Sequence, residues 1–131
     1  MANYSVSTRN AAGGYRTIIS ARQHVLHADE PQAVGGHDTG PTPMELLAGA
    51  LAGCTAITLR MYSQRKNWPV DDIDVDVALE KTAEGTRTAT MVITVTGALE
   101  EEQRARLVQI AHACPVHKIV APGLPIETTL R

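Results

Sequence analysis

Apolar and polar residues alternate in two parts of this chain and recur at helical spacing in two others. Ile73, Val75, Val77 and Leu79 interleave with Asp72, Asp74 and Asp76, the period-two pattern of a half-buried strand. Ala83-Glu84-Gly85-Thr86 has turn chemistry, and Arg87 to Thr96 returns as a second strand with Met91, Ile93 and Val95 on one face. Gly97 ends it. Earlier, Asn3 to Arg9 reads as a first strand, Asn10-Ala11-Ala12-Gly13-Gly14 as a turn, and Tyr15 to about His27 as the second strand of an N-terminal hairpin.

The helical patterns are two. Leu47, Leu51, Cys54, Ile57 and Met61 form one apolar stripe. Thr42-Pro43-Met44-Glu45 before it is a capping box: a hydroxyl cap, proline at the first helical position and a carboxylate three places on. That helix is expected to run to about Lys66 and to stop near Asn67-Trp68-Pro69. The second runs from about Glu100 to Cys114, with acidic residues in its first turn as the helix dipole favours. Its stripe is Leu107, Ile110, Ala111 and Cys114, and Pro115 ends it. Ile126 to Leu130 reads as a short closing strand. Ala28 to Pro41, rich in Gly and Pro, reads as a long irregular loop of the kind that is often functional. The order is β-β-α-β-β-α-β, an α+β domain.

Composition narrows the function classes. A chain of 131 residues suits one domain. Its net charge of −2, with no basic stripe carrying interleaved aromatics, gives no electrostatic case for nucleic acid. No apolar run is seen to approach the roughly 20 residues that span a bilayer. Met1 to Arg9 lacks a secretory pattern, so the cytoplasm is the expected compartment and no membrane partner is expected. Aromatics are scarce, which leaves a core of Ala, Val, Ile and Leu, the kind a partner subunit often completes.

The candidate chemistry is sulfur. Cys54 and Cys114 each lie on the apolar stripe of a helix, and a buried cysteine is ordinarily just a small hydrophobe. As a pair they suggest more, because two stripes facing one small core can bring the sulfurs together. Ala48, Gly49, Ala52 and Gly53 around Cys54 allow another backbone or a substrate to come close. Only a thiolate attacks a peroxide, and a second thiol nearby traps the sulfenic acid before it oxidises further. Histidines do not assemble a metal site on this reading. His24 and His27 have odd strand spacing, His37-Asp38 sit in the loop, and zinc needs three or four convergent ligands. His117 is near enough to Cys114 in sequence to tune a thiol. No cofactor and no metal are expected.

Gly35-Gly36, Gly40-Pro41-Thr42-Pro43-Met44-Glu45-Leu46-Leu47 with Cys54, and Ala113-Cys114-Pro115-Val116, resemble the two signatures of the OsmC/Ohr family, osmotically inducible protein C and organic hydroperoxide resistance proteins. The resemblance spans nearly the whole chain. It implies a single OsmC-like domain over residues 1–131 in an intertwined homodimer, with residues 1–41 exchanged and two core helices side by side. It implies that Cys54 attacks organic hydroperoxides or hydrogen peroxide and that Cys114 resolves the product into a disulfide. An external dithiol, in some members a lipoyl group on a protein, then restores the pair. Family peroxidases also use a Glu and an Arg at the thiolate. Glu45 is the candidate glutamate, one place from the position that Met44 fills here, and the capping box explains it equally well. Arg9, Arg16 and Arg22 lie in the N-terminal hairpin, with Arg16 or Arg22 favoured. Two other readings remain open: a dimeric binding or stress-related module whose cysteines only pack, and a thiol–disulfide exchange protein.

Overall fold

The computed structural model describes residues 4–85 and 87–131. Asn3, the first residue of the expected first strand, and Thr86, the last of the expected turn Ala83-Glu84-Gly85-Thr86, lie outside the described residues. The chain forms two compact units, Met1–Leu47 and Ala48–Arg131.

The first unit carries a three-stranded antiparallel sheet, β1 (Ser7–Arg9), β2 (Thr17–Ala21) and β3 (His24–Ala28), in the order β1-β2-β3. β2 pairs with β3 from Thr17↔Ala28 to Ala21↔His24. The expected single strand from Tyr15 to His27 is therefore two strands. The break falls at Arg22-Gln23, where Arg22 takes a left-handed backbone with φ 55. A turn built on arginine carries none of the Gly, Asn or Pro punctuation that marks turns in sequence.

The following loop is more ordered than its composition suggests. Gln32–Val34 form a turn of 3-10 helix. Asp29, only 2% exposed, anchors the loop from inside. Its carboxylate accepts hydrogen bonds from the Glu30 N–H at 2.8 Å, the Thr39 N–H at 3.1 Å and the Thr39 hydroxyl at 2.6 Å. The loop's glycines follow from close packing. A side chain at Gly36 would run into the Glu30 carbonyl, and one at Gly40 into the His27 carbonyl. Helix α1 (Pro43–Lys66) begins as expected. The Thr42 N–H donates to Glu45 Oε1 at 2.8 Å and the Glu45 N–H donates to Thr42 Oγ1 at 3.1 Å.

The second unit holds the rest of α1, the hairpin β4 (Val70–Lys81) and β5 (Arg87–Gly97), α2 (Glu101–Ala111) and α3 (Pro115–Val120). β4 and β5 pair antiparallel with Ile73↔Val95, Val75↔Ile93 and Val77↔Met91, so the apolar residues of both strands share one face as the alternation required. That face packs on a core of Leu59, Tyr62, Leu107 and Ala111, edged by Trp68, Ile73, Ile93 and Val95.

Three expectations change in this unit. The buried side of α1 is Leu51, Thr55, Leu59, Tyr62 and Ser63. Of the expected stripe, Ile57 is 62% exposed and Met61 64% exposed, and Leu47, at the end of the first unit, is also exposed. Polar residues can occupy the buried side because Thr55 and Ser63 return their protons to the Leu51 and Leu59 carbonyls at 2.9 and 2.8 Å. The second helix stops at Ala111, and Cys114 is the N-cap of a separate helix whose first residue is Pro115. Proline there opens a helix as well as closing one, since its missing N–H is unneeded at the first position. The expected strand from Ile126 to Leu130 is irregular and exposed, with Ile126 at 83%. Among the described residues no strand pairs with it, so no ladder of hydrogen bonds holds it extended.

By length and composition α1 is also apolar enough to cross a membrane, where the sequence reading found no such run. Its alanines add apolar weight between the larger residues. In the second unit its larger side chains, Leu59 and Tyr62, pack on α2 and the β4–β5 sheet.

Candidate functional site

Cys54 lies on α1 and Cys114 at the α2–α3 corner, and the fold of the second unit brings their side chains into direct interaction. Both are free thiols. Cys54 is half-buried and Cys114 fully buried. The corner is set by the last carbonyls of α2: the Ala113 N–H donates to the Ile110 carbonyl at 2.9 Å and the Cys114 N–H to the Ala111 carbonyl at 3.4 Å. The chain then turns into α3, and the first N–H groups of that helix face the sulfurs.

The two thiols are electrostatically unequal. Burial pushes the Cys54 thiol up, and the contact with Cys114 adds to the rise. The Val116 N–H and the Thr58 hydroxyl oppose it more weakly. None of these groups is a cation. Burial also acts against a Cys114 thiolate, but the Cys54 thiol and the His117 and Val116 N–H groups outweigh it, so the Cys114 thiol is lowered. Cys114 makes no formal side-chain cap bond. The N–H groups therefore act at longer range, as charge stabilisers more than as a cap. Thr55 borders Cys114 too, but its one proton goes to the Leu51 carbonyl, which leaves it an acceptor. A coupled dithiol of this kind shares one proton and loses the second with difficulty.

A groove of about 320 Å³ opens beside the pair. Thr58, which touches Cys54, walls one end together with Ala113 and Pro115, the neighbours of Cys114. Met61, Tyr62 and Arg65 continue it along α1, and Ile110 of α2 adds to the lining. The Tyr62 ring packs edge-on against Trp68 at 5.5 Å. It lies under three cations, with Arg65, Lys66 and Arg106 at 5.3, 5.7 and 5.8 Å from its centroid. Arg106 Nε donates to the Tyr62 hydroxyl at 3.2 Å, and that bond holds the phenol below its ordinary pKa.

The other candidates, His117 apart, belong to the first unit. The Arg16 guanidinium rests against the His27 ring, with Nη2 at 3.3 Å from Nδ1. Arg9 and Arg16 border a hollow of about 330 Å³ with Asp29, His37 and Thr39. Arg22 forms the β2–β3 turn. Glu45 is engaged in the capping box, and its hydrogen bonds from Thr42 hold its carboxyl below the usual range. His117 acts on Cys114 through its backbone N–H, while its ring stacks on His112 at 5.2 Å. Among the described residues, no group of three His, Cys, Asp or Glu side chains converges as metal ligands.

Sequence reasoning missed Thr58, Arg65 and the Val116 N–H. Thr58 was within reach of it, because a hydroxyl one helical turn after a cysteine shares its face. Arg65 continues that face but reads as an ordinary charge near a helix end.

The sequence profile of the family described as OsmC-like protein matches residues 36–129. No curated protein matches. Among solved structures, the chain is similar to an OsmC-like protein from Mycoplasma pneumoniae, with TM-score 0.76 and 15% identity over 92% of this chain and 88% of that one. It is similar to an organic hydroperoxide resistance protein from Legionella pneumophila, with TM-score 0.64 and 21% identity over 92% and 91%. It is also similar to the organic hydroperoxide resistance protein OhrB of Bacillus subtilis, with TM-score 0.60 and 26% identity over 90% of each chain.

Proposed function

Because this chain belongs to the OsmC-like protein family, we propose that it is a thiol peroxidase that reduces organic hydroperoxides or hydrogen peroxide with Cys54 and Cys114. Organic hydroperoxide resistance proteins among its structural relatives support that direction. The observation that carries it is the pair itself: two free thiols, distant in sequence, interact with each other, one half-buried and one fully buried.

Reach assigns the roles. Cys54 is the sulfur a peroxide can approach, and Cys114 is enclosed. In the reduced pair the first negative charge is favoured on Cys114, which then takes the proton of Cys54 as Cys54 attacks. The Cys54 thiolate attacks the distal peroxide oxygen and the O–O bond breaks, giving Cys54 sulfenic acid and an alkoxide that takes up one proton to leave as the alcohol, or hydroxide that leaves as water when the substrate is hydrogen peroxide. The Cys114 sulfur then attacks the sulfenic sulfur and releases water, forming the Cys54–Cys114 disulfide. An external dithiol restores both thiols by two exchanges and leaves oxidised, and a lipoyl-bearing protein is the reductant the family resemblance suggests.

We assign the protein to the cytoplasm as a homodimer with residues 1–41 exchanged between subunits. The exposed apolar Ile57 and Met61 of α1 support an association surface. Arg16 or Arg22 is our candidate for the activating cation, with Glu45 beside its capping role.

A second reading, a binding module or disulfide exchanger with an unreactive Cys54, is favoured by the burial that raises that thiol. One experiment separates them. The reduced protein is treated with cumene hydroperoxide, its free thiols are counted, and turnover is followed with dithiothreitol or dihydrolipoate. Loss of both thiols with turnover supports the peroxidase. Inert thiols support the binding module, and oxidation by disulfides alone supports exchange.

A further inference from the structure

We propose that Arg65, Lys66 and Arg106 form a docking surface for an acidic segment of another protein, one whose carboxylates stand a helical turn apart. The three cations meet at one place. The Arg65 guanidinium, the Lys66 ammonium and the Arg106 guanidinium lie 5.3, 5.7 and 5.8 Å from the centroid of the Tyr62 ring. All three residues are exposed. The pull of a helix C-terminus on positive charge accounts for Arg65 and Lys66, which close α1. It does not account for Arg106, which comes from α2 to the same ring.

No countercharge meets them. Among the described residues, none of the three forms an ion pair. α1 carries no acid after Glu45. Glu102 stands four places before Arg106, the spacing at which helical ion pairs form. Arg106 bonds elsewhere, its Nε donating to the Tyr62 hydroxyl at 3.2 Å and its Nη1 to Gln109 Oε1 at 2.8 Å. Tyr62 offers a π face and a phenol oxygen, which hold the cations in place without neutralising them. Three like charges gathered in this way repel one another, and a multivalent anion relieves that repulsion. Their exposure makes the cluster a surface, whereas small-molecule sites are concave. Each cation lies within 5.8 Å of one point, so no two are further apart than twice that distance. Carboxylates three or four residues apart on a helix, with about 5–6 Å between their Cβ atoms, match that spread and meet the three together.

The test uses a fluorescein-labelled helical peptide with glutamates one turn apart, and its glutamine counterpart, each titrated with the full chain. Anisotropy is read at about 0.02 and 0.3 M salt, which bracket weak and strong screening. The peptides carry no thiol and no peroxide is present, so the outcome is independent of the peroxidase reading. The wild-type Kd for the glutamate peptide is expected to lie about tenfold or more below that for the glutamine peptide at low salt, and the gap to narrow at high salt. Arg65→Gln/Lys66→Gln is expected to cut the preference to about twofold or less. Neither side chain makes a hydrogen bond among the described residues, so the fold is expected to stand, and circular dichroism checks it. Arg65→Glu/Lys66→Glu is expected to turn the preference toward a lysine peptide. Equal binding of the two peptides by the wild type overturns the proposal, as does a preference that survives Arg65→Gln/Lys66→Gln. So does an equal loss in Lys81→Gln, which would make the attraction one of overall charge. Tripolyphosphate binding more tightly than the glutamate peptide would make the occupant a small polyanion. Salt-sensitive oligomers of the free chain that Arg65→Gln/Lys66→Gln disperses would make it a second copy. Either result sinks the assignment to an acidic partner protein.

Discussion

Truncating Leu59 to alanine tests which side of α1 holds the second unit together. Leu59 is fully buried and packs with Tyr62, Leu107 and Ala111. Leu→Ala at such a site costs the transfer of the lost carbons plus the cavity left behind, about 3 kcal/mol. At an m-value of about 2 kcal/mol/M in urea, that loss lowers the unfolding midpoint by about 1.5 M. The companion variant is Ile57→Ala. Sequence periodicity puts Ile57 inside the core, yet it is 62% exposed, so in the folded chain its truncation is expected to stay within about 0.5 kcal/mol. If Ile57 belongs to a subunit interface, any further loss will grow as the protein is diluted, because dimer stability scales with concentration. Urea titrations at two protein concentrations separate these cases. Leu59→Ala should also slow Cys54–Cys114 disulfide formation, since Leu59 helps to hold α1 against α2. Equal, concentration-independent losses at both positions would refute the assigned helix face.

Four other outcomes are expected. Cys54→Ser abolishes turnover, whereas Cys114→Ser permits one reaction and then over-oxidises to a sulfinic acid that intact-mass measurement detects; wild-type turnover in Cys54→Ser reverses the role assignment. Thr58→Val keeps the shape of the groove but removes the hydroxyl that favours a Cys54 thiolate, and kcat/KM with cumene hydroperoxide should drop by about tenfold or more. The Asp29 carboxyl sits at about 2 in place of its ordinary 3.8, chiefly through the Thr39 hydroxyl. Its contribution to the loop is therefore complete above pH 3.8 and lost as the pH falls toward 2, so hydrogen exchange at the Glu30 and Thr39 amides should accelerate in that window and Asp29→Asn should erase the transition. Arg22→Gly relieves the left-handed backbone and should stabilise the chain by up to about 1 kcal/mol; a large loss of turnover in that variant would identify Arg22 as the activating cation, and kept turnover would leave that role to Arg16.

Local pattern reached far along this chain. Strict alternation located β4 and β5 and their shared apolar face, and Thr42-Pro43-Met44-Glu45 marked the start of α1, because a capping box is made by residues three apart. The cysteine pair was legible as a possibility from two helical stripes. What failed depended on partners that local pattern does not contain. Ile126 to Leu130 pairs with no strand among the described residues and stays irregular. Arg22 turns the chain without turn chemistry.

By itself, the sequence determined where α1 begins, where β4 and β5 lie and which residues could carry sulfur chemistry. Those choices rest on capping, alternation and thiol reactivity, which act over a few residues. Only the tertiary structure decided which side of α1 is buried, since Thr55 and Ser63 become acceptable inside once they bond to their own helix. It also decided which sulfur is reachable and which is better placed to hold a charge. Access and electrostatics at Cys54 and Cys114 are set by α3's N–H groups and by packing across the core, contacts that exist only after distant segments have met.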